Sequence, residues 1–419
     1  MARKVFMSVL GSTSYQECCY VDANELFMSS RTKYIQIAML EKLRKDWNSS
    51  DIAYIFVTGG DKGSENKNWN DNGHCKYGTN EAIESKGLKS LIEELHLELK
   101  VQSIQIKNGD NESEIWDNFR IIYDCLQPDD EVYFDVTHGF RSLPMMVMVL
   151  NNYSKFLKGI KVKSISYGNY EARNELNEAP IIDLILLSNL QDWTSAANMF
   201  FQTGRTTEIT QLINQEEFKA LDEFVKEIAE CRGVSIFSGL TAKSVMEELN
   251  SINIQDHVYK ELLNKVNEKV SKFELDDLLN GFRAVEFCIQ YNLIQQGITL
   301  LQEFIISFLL DKINFKDWKD ELARNVVTGC LSINNIGCFK SSEKLNDDEK
   351  QEAYEIAQKI FLLPFRKKLS EKVFKKLSLG SRNDLNHAGK RKDPKPTGYF
   401  ELRLTEYFEL TKEILSIKL

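Results

Sequence analysis

What most constrains this chain is a change of rhythm near residue 187. Before it, short apolar runs alternate with helical periods; after it, helical spacing continues almost alone. In the first part, residues 5–10, 52–57, 101–106, 131–134, 160–167 and 181–187 read as strands. Between them, 32–45, 81–97, 112–126 and 140–156 have helical spacing, as with Ile35, Ala38, Met39 and Leu43 on one face. Pro144 falls in the first turns of the last of these, where it is tolerated. A polar, hairpin-like segment, 168–180, separates the last two strands. Such alternation predicts a parallel sheet with helices on both faces. Beyond 188, helices are expected over 189–203, 208–214, 218–231, 258–273, 353–362 and 399–418, with one long stretch, 284–310, interrupted only by Gly297. The expected division is an α/β domain over 1–187 and a helical region over 188–419, an α/β plus all-α chain. The length, 419 residues, suits two to three domains.

A parallel sheet of this kind binds ligands at the carboxyl ends of its strands, near the point where the winding reverses. Three strand ends carry small or hydroxylic residues: Gly11-Ser12-Thr13, Thr58-Gly59-Gly60 and Thr137-His138-Gly139. Backbone N–H groups and hydroxyls at such ends suit phosphate or another anion. Neither GxGxxG nor GxxxxGK[ST] occurs, which disfavours a dinucleotide cofactor and a P-loop nucleotidase. The polar, glycine-containing segment 61–80 reads as a long mobile loop over the ligand face.

No run approaches about 18 apolar residues, so no membrane span is expected. The apolar start of the chain is too short for a signal peptide and reads as a buried strand; the cytoplasm is the expected location. Eight cysteines show no CxxC pair or zinc spacing, and positions such as Cys125 and Cys288 fall in apolar stretches, so buried thiols rather than a metal site are expected. The net charge of −9 argues against broad coating of nucleic acid. The charge is uneven, however. Residues 366–395 contain eleven Lys and Arg against three acids, either a solvated basic face or a local site for an RNA backbone.

Two strings carry most of the chemistry. The first is Asp135-Val136-Thr137-His138-Gly139-Phe140-Arg141-Ser142-Leu143-Pro144, where a strand delivers Asp, Thr, His and Gly to a turn before a helix. Gly139 permits a turn that a side chain would hinder. Thr137, His138 and Arg141 could grip an anionic ligand, with Arg141 suited to phosphate. The same residues fit a capped turn in which Asp135 and Ser142 bond locally and His138 packs. The second is Arg382-Asn383-Asp384-Leu385-Asn386-His387, an Arg-x4-His spacing that occurs once in the chain. Gly380-Ser381 before it resembles a helix N-cap, so Arg382 would open a helix. Arg382 could simply pair with a carboxylate while His387 faces solvent. The chemical alternative is RNA cleavage: the 2′-hydroxyl attacks the adjacent phosphate, Arg382 stabilises the extra charge, and His387 acts as general acid or base, with no metal required.

The first string resembles the DxTHG motif of CRISPR-associated CARF proteins, Rossmann-like sensors of cyclic oligoadenylate. The resemblance extends over roughly 1–187, through Gly11-Ser12-Thr13 and the later Tyr167-Gly168-Asn169-Tyr170 and Ala179-Pro180-Ile181-Ile182-Asp183. It implies that Gly11, Ser12, Thr13, Thr137, His138, Gly139, Arg141 and Ser142 line the ligand site, with Thr58 and Gly59 as further candidates. With such a domain upstream, Arg-x4-His resembles the HEPN domain of type III CRISPR accessory ribonucleases. Asn383 is similar to the polar residue that often follows the arginine there, and 291–303 resembles a helix of those domains. The implied protein is a homodimer, or an assembly of dimers, that cleaves single-stranded RNA at a composite site when cyclic oligoadenylate binds, the tetra-adenylate being favoured over the hexa-adenylate. It takes no cofactor beyond that activator. Slow hydrolysis of the activator in the sensor is a subsidiary expectation. The competing readings are a CARF-type regulator that binds DNA or protein without nuclease activity, and a metal-dependent DNase. The second needs clustered Asp/Glu-x-Lys chemistry after a strand, and strand signals are few in the second half.

Overall fold

The computed structural model describes residues 2–22, 26–71, 86–139, 141–212, 219–251, 257–387, 390 and 394–418. The chain divides into two compact units, Met1–Gln191 and Asp192–Leu419.

Among the described residues the first unit has seven strands: β1 (Lys4–Val9), β2 (Cys19–Asp22), β3 (Ile52–Thr58), β4 (Lys100–Ile106), β5 (Glu131–Asp135), β6 (Lys161–Gly168) and β7 (Glu178–Asp183). Their order across the sheet is β2-β7-β6-β5-β1-β3-β4. The central strands β1 and β3 are continuous apolar runs because both of their faces are covered. On one face, Phe6, Ala53, Ile55 and Val57 pack with α1 (Ile35–Leu43) and α2 (Leu88–Glu94). On the other, Val5, Met7, Tyr54 and Phe56 pack with α3 (Glu112–Asp124) and α4 (Leu143–Lys158). β1 lies between β5 and β3, with Ser8 opposite Asp135 on one side and Ile55 on the other. Winding runs from β1 through β3 to β4, then restarts at β5 on the opposite side, so the carboxyl end of β1 is the switch point.

Three expectations need correction here. The sheet is mixed rather than wholly parallel, because β6 and β7 form an antiparallel pair. The short strand β2 escapes the periodic signal: it has four residues and follows a polar segment, and it makes β5 the fifth strand rather than the fourth. The strand expected over 181–187 stops at Asp183. That carboxylate accepts hydrogen bonds from the backbone N–H of Ile165 (3.1 Å) and Ile185 (2.9 Å), turning the chain into helix α5 (Ile185–Thr203). In the segment 81–97 the described helix is α2 alone, with 81–85 outside the described residues. Of the expected loop 61–80, residues 61–71 are described and contain a helical turn, Glu65–Trp69; 72–80 lie outside.

In the second unit, after α5, come α6 (Thr207–Leu212), α7 (Ala220–Ala229), α8 (Gly233–Ser238), α9 (Leu240–Ser251), α10 (His257–Val270), α11 (Asn280–Gln290), α12 (Ile294–Lys312), α13 (Glu321–Ser332) and α14 (Asp347–Leu362). A helical run over 366–386 and a terminal helix, Tyr399–Leu415, complete it. Among the described residues this unit contains no strand, as the loss of period-two patterning predicts. Helix α12 is buried almost all round, and Phe282 of α11 stacks on Phe408 of the terminal helix at 4.2 Å. The expected single stretch 284–310 is two helices. The break falls at residues 291–293, where Asn292 adopts a left-handed φ of 56°. Gly297 lies inside α12, where a Cβ would stand 2.5 Å from Leu404 Cδ2; it permits close packing and does not interrupt the helix.

Candidate functional sites

The switch point gathers the three predicted strand ends. Because β5, β1 and β3 are adjacent and parallel, Thr137-His138-Gly139, Gly11-Ser12-Thr13 and Thr58-Gly59 follow neighbouring strands on the same edge. Close approach between them is built in: a Cβ on Gly11 would lie 3.7 Å from His138 Cβ. Gly139 has a φ of +126° and leaves no room for a side chain beside Leu143 and Val9, so glycine is required on both counts.

Several hydroxyls of these strand ends make hydrogen bonds within the chain. Asp135 is buried and accepts from Ser8 Oγ at 2.6 Å, from the Thr137 N–H at 3.1 Å and from the Thr137 hydroxyl. Burial raises the Asp135 pKa, opposed by these hydrogen bonds from Ser8 and Thr137. Thr137 Oγ1 also accepts the Gly168 N–H at 2.7 Å, tying β5 to the end of β6. Gln36 of α1 donates to Ser8 Oγ at 2.9 Å and so joins the same network. Thr58 is likewise used locally: its N–H donates to Ser64 Oγ (2.9 Å), and the Ser64 N–H donates back to Thr58 Oγ1 (3.0 Å). Thr137 and Thr58 therefore fix the strand ends. Ser142 precedes α4 without a side-chain capping bond, contrary to the capped-turn reading, and Arg141 is exposed; Phe140 lies outside the described residues.

Residues outside the motifs complete this edge. Asn68 donates from Nδ2 to the carbonyls of Gly11 (2.7 Å) and Thr13 (2.9 Å), which pins the loop after β1. Tyr15 stacks on His138 with ring centroids 4.1 Å apart and planes 26° apart, and meets Tyr34 edge-on at 5.9 Å. His138 Nε2 is closed off from solvent without a hydrogen-bond partner. Burial lowers its pKa to about 4, so the ring is neutral at pH 7. The Tyr15 hydroxyl is also buried, and burial raises its pKa, opposed by hydrogen bonding to Thr13 and Gly11. An aromatic two residues beyond Thr13 was the available sequence signal for Tyr15; nothing in sequence brought Asn68 to the loop.

The second candidate lies at the end of the run over 366–386. Arg382 continues a helix, with φ −60° and ψ −41°, so Gly380-Ser381 is not the expected N-cap. The preceding segment, Lys376–Arg382, is π-helical, a wide geometry found often at functional sites. Arg382 Nη1 lies 3.8 Å from Glu303 Oε1 on α12, while Glu303 Oε2 makes a 2.6 Å pair with Arg324. One carboxylate thus serves two guanidiniums and leaves a net positive charge. Ser381 and Asp384 are buried, and Asp384 accepts the Lys395 N–H at 3.0 Å. Asn383 and His387 are exposed, with His387 just past the helical end at Asn386. Buried Ser381 and Asp384 fix the rotation of the segment, and this leaves Asn383 and His387 outward.

The surrounding basic segment is not one solvated face. Arg366 is buried, donates to the carbonyls of Cys330, Ile333 and Asn334 around the C-terminal end of α13, and stacks on Phe361 at 4.0 Å. Lys368 pairs with Glu413, and Lys375 donates to Asn334. Lys367, Lys372, Lys376 and Lys390 are exposed; 391–393 lie outside the described residues. Among the described residues, no group of three or more His, Cys, Asp or Glu is placed to hold a metal, and no helix is long and apolar enough to cross a membrane.

Fold and sites together define a switch-point α/β unit joined to a helical unit bearing an exposed Arg–His segment. No protein-family model matches the chain. Over 177 residues it is 27% identical to the CRISPR-associated protein MJ1674 of Methanocaldococcus jannaschii, a stretch covering 41% of this chain and 28% of that protein. The match therefore spans less than a third of the curated relative. Enterococcus italicus Csm6 bound to cyclic hexa-2′-fluoro-hexa-dAMP aligns over 99% of this chain and 94% of its own, with TM-score 0.38 and 11% identity. The similarity to CRISPR-associated proteins is distant and partial.

Proposed function

We propose that this chain is a CRISPR-associated endoribonuclease, acting in the cytoplasm, activated by cyclic oligoadenylate and independent of metal. The observation that carries the reading is the outward placement of Asn383 and His387 beside Arg382, fixed by buried Ser381 and Asp384. Residues 1–187 act as the sensor, with the ligand at the β5–β1–β3 edge. Residues 188–419 contain the HEPN-type nuclease. Arg382 stabilises charge on the phosphorane as the 2′-hydroxyl attacks, and His387 moves the proton, leaving a 2′,3′-cyclic phosphate and a 5′-hydroxyl. Asn383 holds phosphate or histidine. Two copies related by a two-fold axis bring two Arg382/His387 sets together, and a rotationally symmetric ring suits such a dimer. The activator favours the dimeric arrangement in which those sets are paired, by binding it more tightly.

The test is cleavage of single-stranded RNA with cyclic tri-, tetra- and hexa-adenylate, each with and without EDTA. Cleavage that needs one of these rings and survives EDTA is expected. Intact RNA together with retarded duplex DNA would instead establish a non-nuclease regulator, and loss of cleavage in EDTA would establish metal-dependent chemistry.

A further inference from the structure

The stacked pair Tyr15–His138 has an unusual feature for a site that must receive a ligand. His138 Nε2 is shut off from solvent and has no hydrogen-bond partner, while the Tyr15 hydroxyl is buried beside Gly11 and Thr13. Leaving such a nitrogen buried costs free energy. No ligand can reach it until the rings part. The stack is braced on one side by Tyr34, the residue before α1, and sits against the glycine of the β1 loop, where the Tyr15 hydroxyl occupies the space a Cβ on Gly11 would need. His138 itself follows Thr137, which the Asp135 and Gly168 bonds hold still. Tyr15 is therefore the ring with freedom to leave.

We propose that Tyr15 is a latch on the switch-point site: its ring closes over His138 and must swing away for a hydrogen-bonding ligand to enter. This rests on the proposed sensor role of that edge for the ligand's identity, but not for the latch itself. The closed state competes with the ligand, so apparent affinity falls with the fraction of closed protein. Two substitutions then separate the stack from the hydroxyl. Tyr15→Phe keeps the ring over His138 and so keeps the site closed. Tyr15→Ala removes the ring and leaves the site open.

The experiment has two arms on the full chain. In the first, diethyl pyrocarbonate modification of His138 is followed by peptide mass spectrometry without any ligand. Modification is expected to be slow in the wild type and in Tyr15→Phe, and about tenfold faster in Tyr15→Ala. In the second, calorimetric titration with cyclic tetra- and hexa-adenylate is expected to show binding by Tyr15→Phe within about twofold of the wild type and about threefold or more tighter binding for Tyr15→Ala. Tyr15→Leu substitutes for the alanine variant if that one does not fold. Equal His138 reactivity in all forms overturns the latch. Weaker binding by Tyr15→Ala also overturns it, and makes Tyr15 a direct ligand contact. If neither ring binds the wild type while His138 reactivity follows the expected order, the latch stands and the ligand assignment fails.

Discussion

Replacing Asp135 with alanine strikes the network that shapes the switch point. The buried carboxylate accepts three hydrogen bonds, from Ser8 Oγ, the Thr137 N–H and the Thr137 hydroxyl. Alanine leaves those donors without their acceptor, and frees the Thr137 hydroxyl that receives the Gly168 N–H. At about 1 kcal/mol or more for each stranded donor, and more where the acceptor is ionised, the loss is about 3–5 kcal/mol. For a unit of this size that corresponds to a fall of about 10 °C in its melting temperature. Asp135→Asn keeps an oxygen for both Thr137 bonds and can donate its amide to Ser8, so its cost is about 1 kcal/mol. Hydrogen exchange followed by mass spectrometry on peptides from β1 and β5 in rising urea assigns the loss to this unit. If Asp135→Ala differs from the wild type by less than about 1 kcal/mol, the network does not hold these strand ends together.

Two further outcomes follow from the same edge. The pKa of His138 is lowered to about 4 from its ordinary 6.5, so the unfolded chain binds the extra proton between those values. Stability from this group is full above pH 6.5 and falls by about 3 kcal/mol on acidification to pH 4; His138→Phe, which keeps the stack without titrating, is expected to show a correspondingly flatter urea-midpoint profile over that range. Gly11→Ala puts a Cβ 2.4 Å from the Tyr15 hydroxyl, so it must displace that ring; a loss of about 1–3 kcal/mol in urea unfolding is expected, with faster modification of His138.

The strand ends were legible in the sequence because β1, β3 and β5 are apolar runs that stop at glycine or hydroxyl residues. What those hydroxyls do was not, since their partners come from tertiary placement. Thr137 reaches the Gly168 N–H across 31 positions, and Asn68 reaches Gly11 across 57. Arg366 looks like any other cation of a basic segment, yet three carbonyls at the C-terminal end of α13 draw it inward. The break after α11 escaped for a related reason: an asparagine in the left-handed region ends the helix, while Gly297, the expected breaker, admits Leu404 inside the next one. The Arg-x4-His spacing was visible in the sequence, but Glu303, which lies 3.8 Å from Arg382, is on another helix.

Substituting His387 addresses the nuclease assignment directly, since its side chain is exposed and stands beyond the last residue of the helix that presents it. In a cleavage assay with cyclic oligoadenylate and EDTA, His387→Ala is expected to lose activity by a factor of at least about 100, with unchanged dimerisation and activator binding. RNA cleavage at the wild-type rate by that variant would contradict a catalytic role for His387 and with it the Arg382–His387 site.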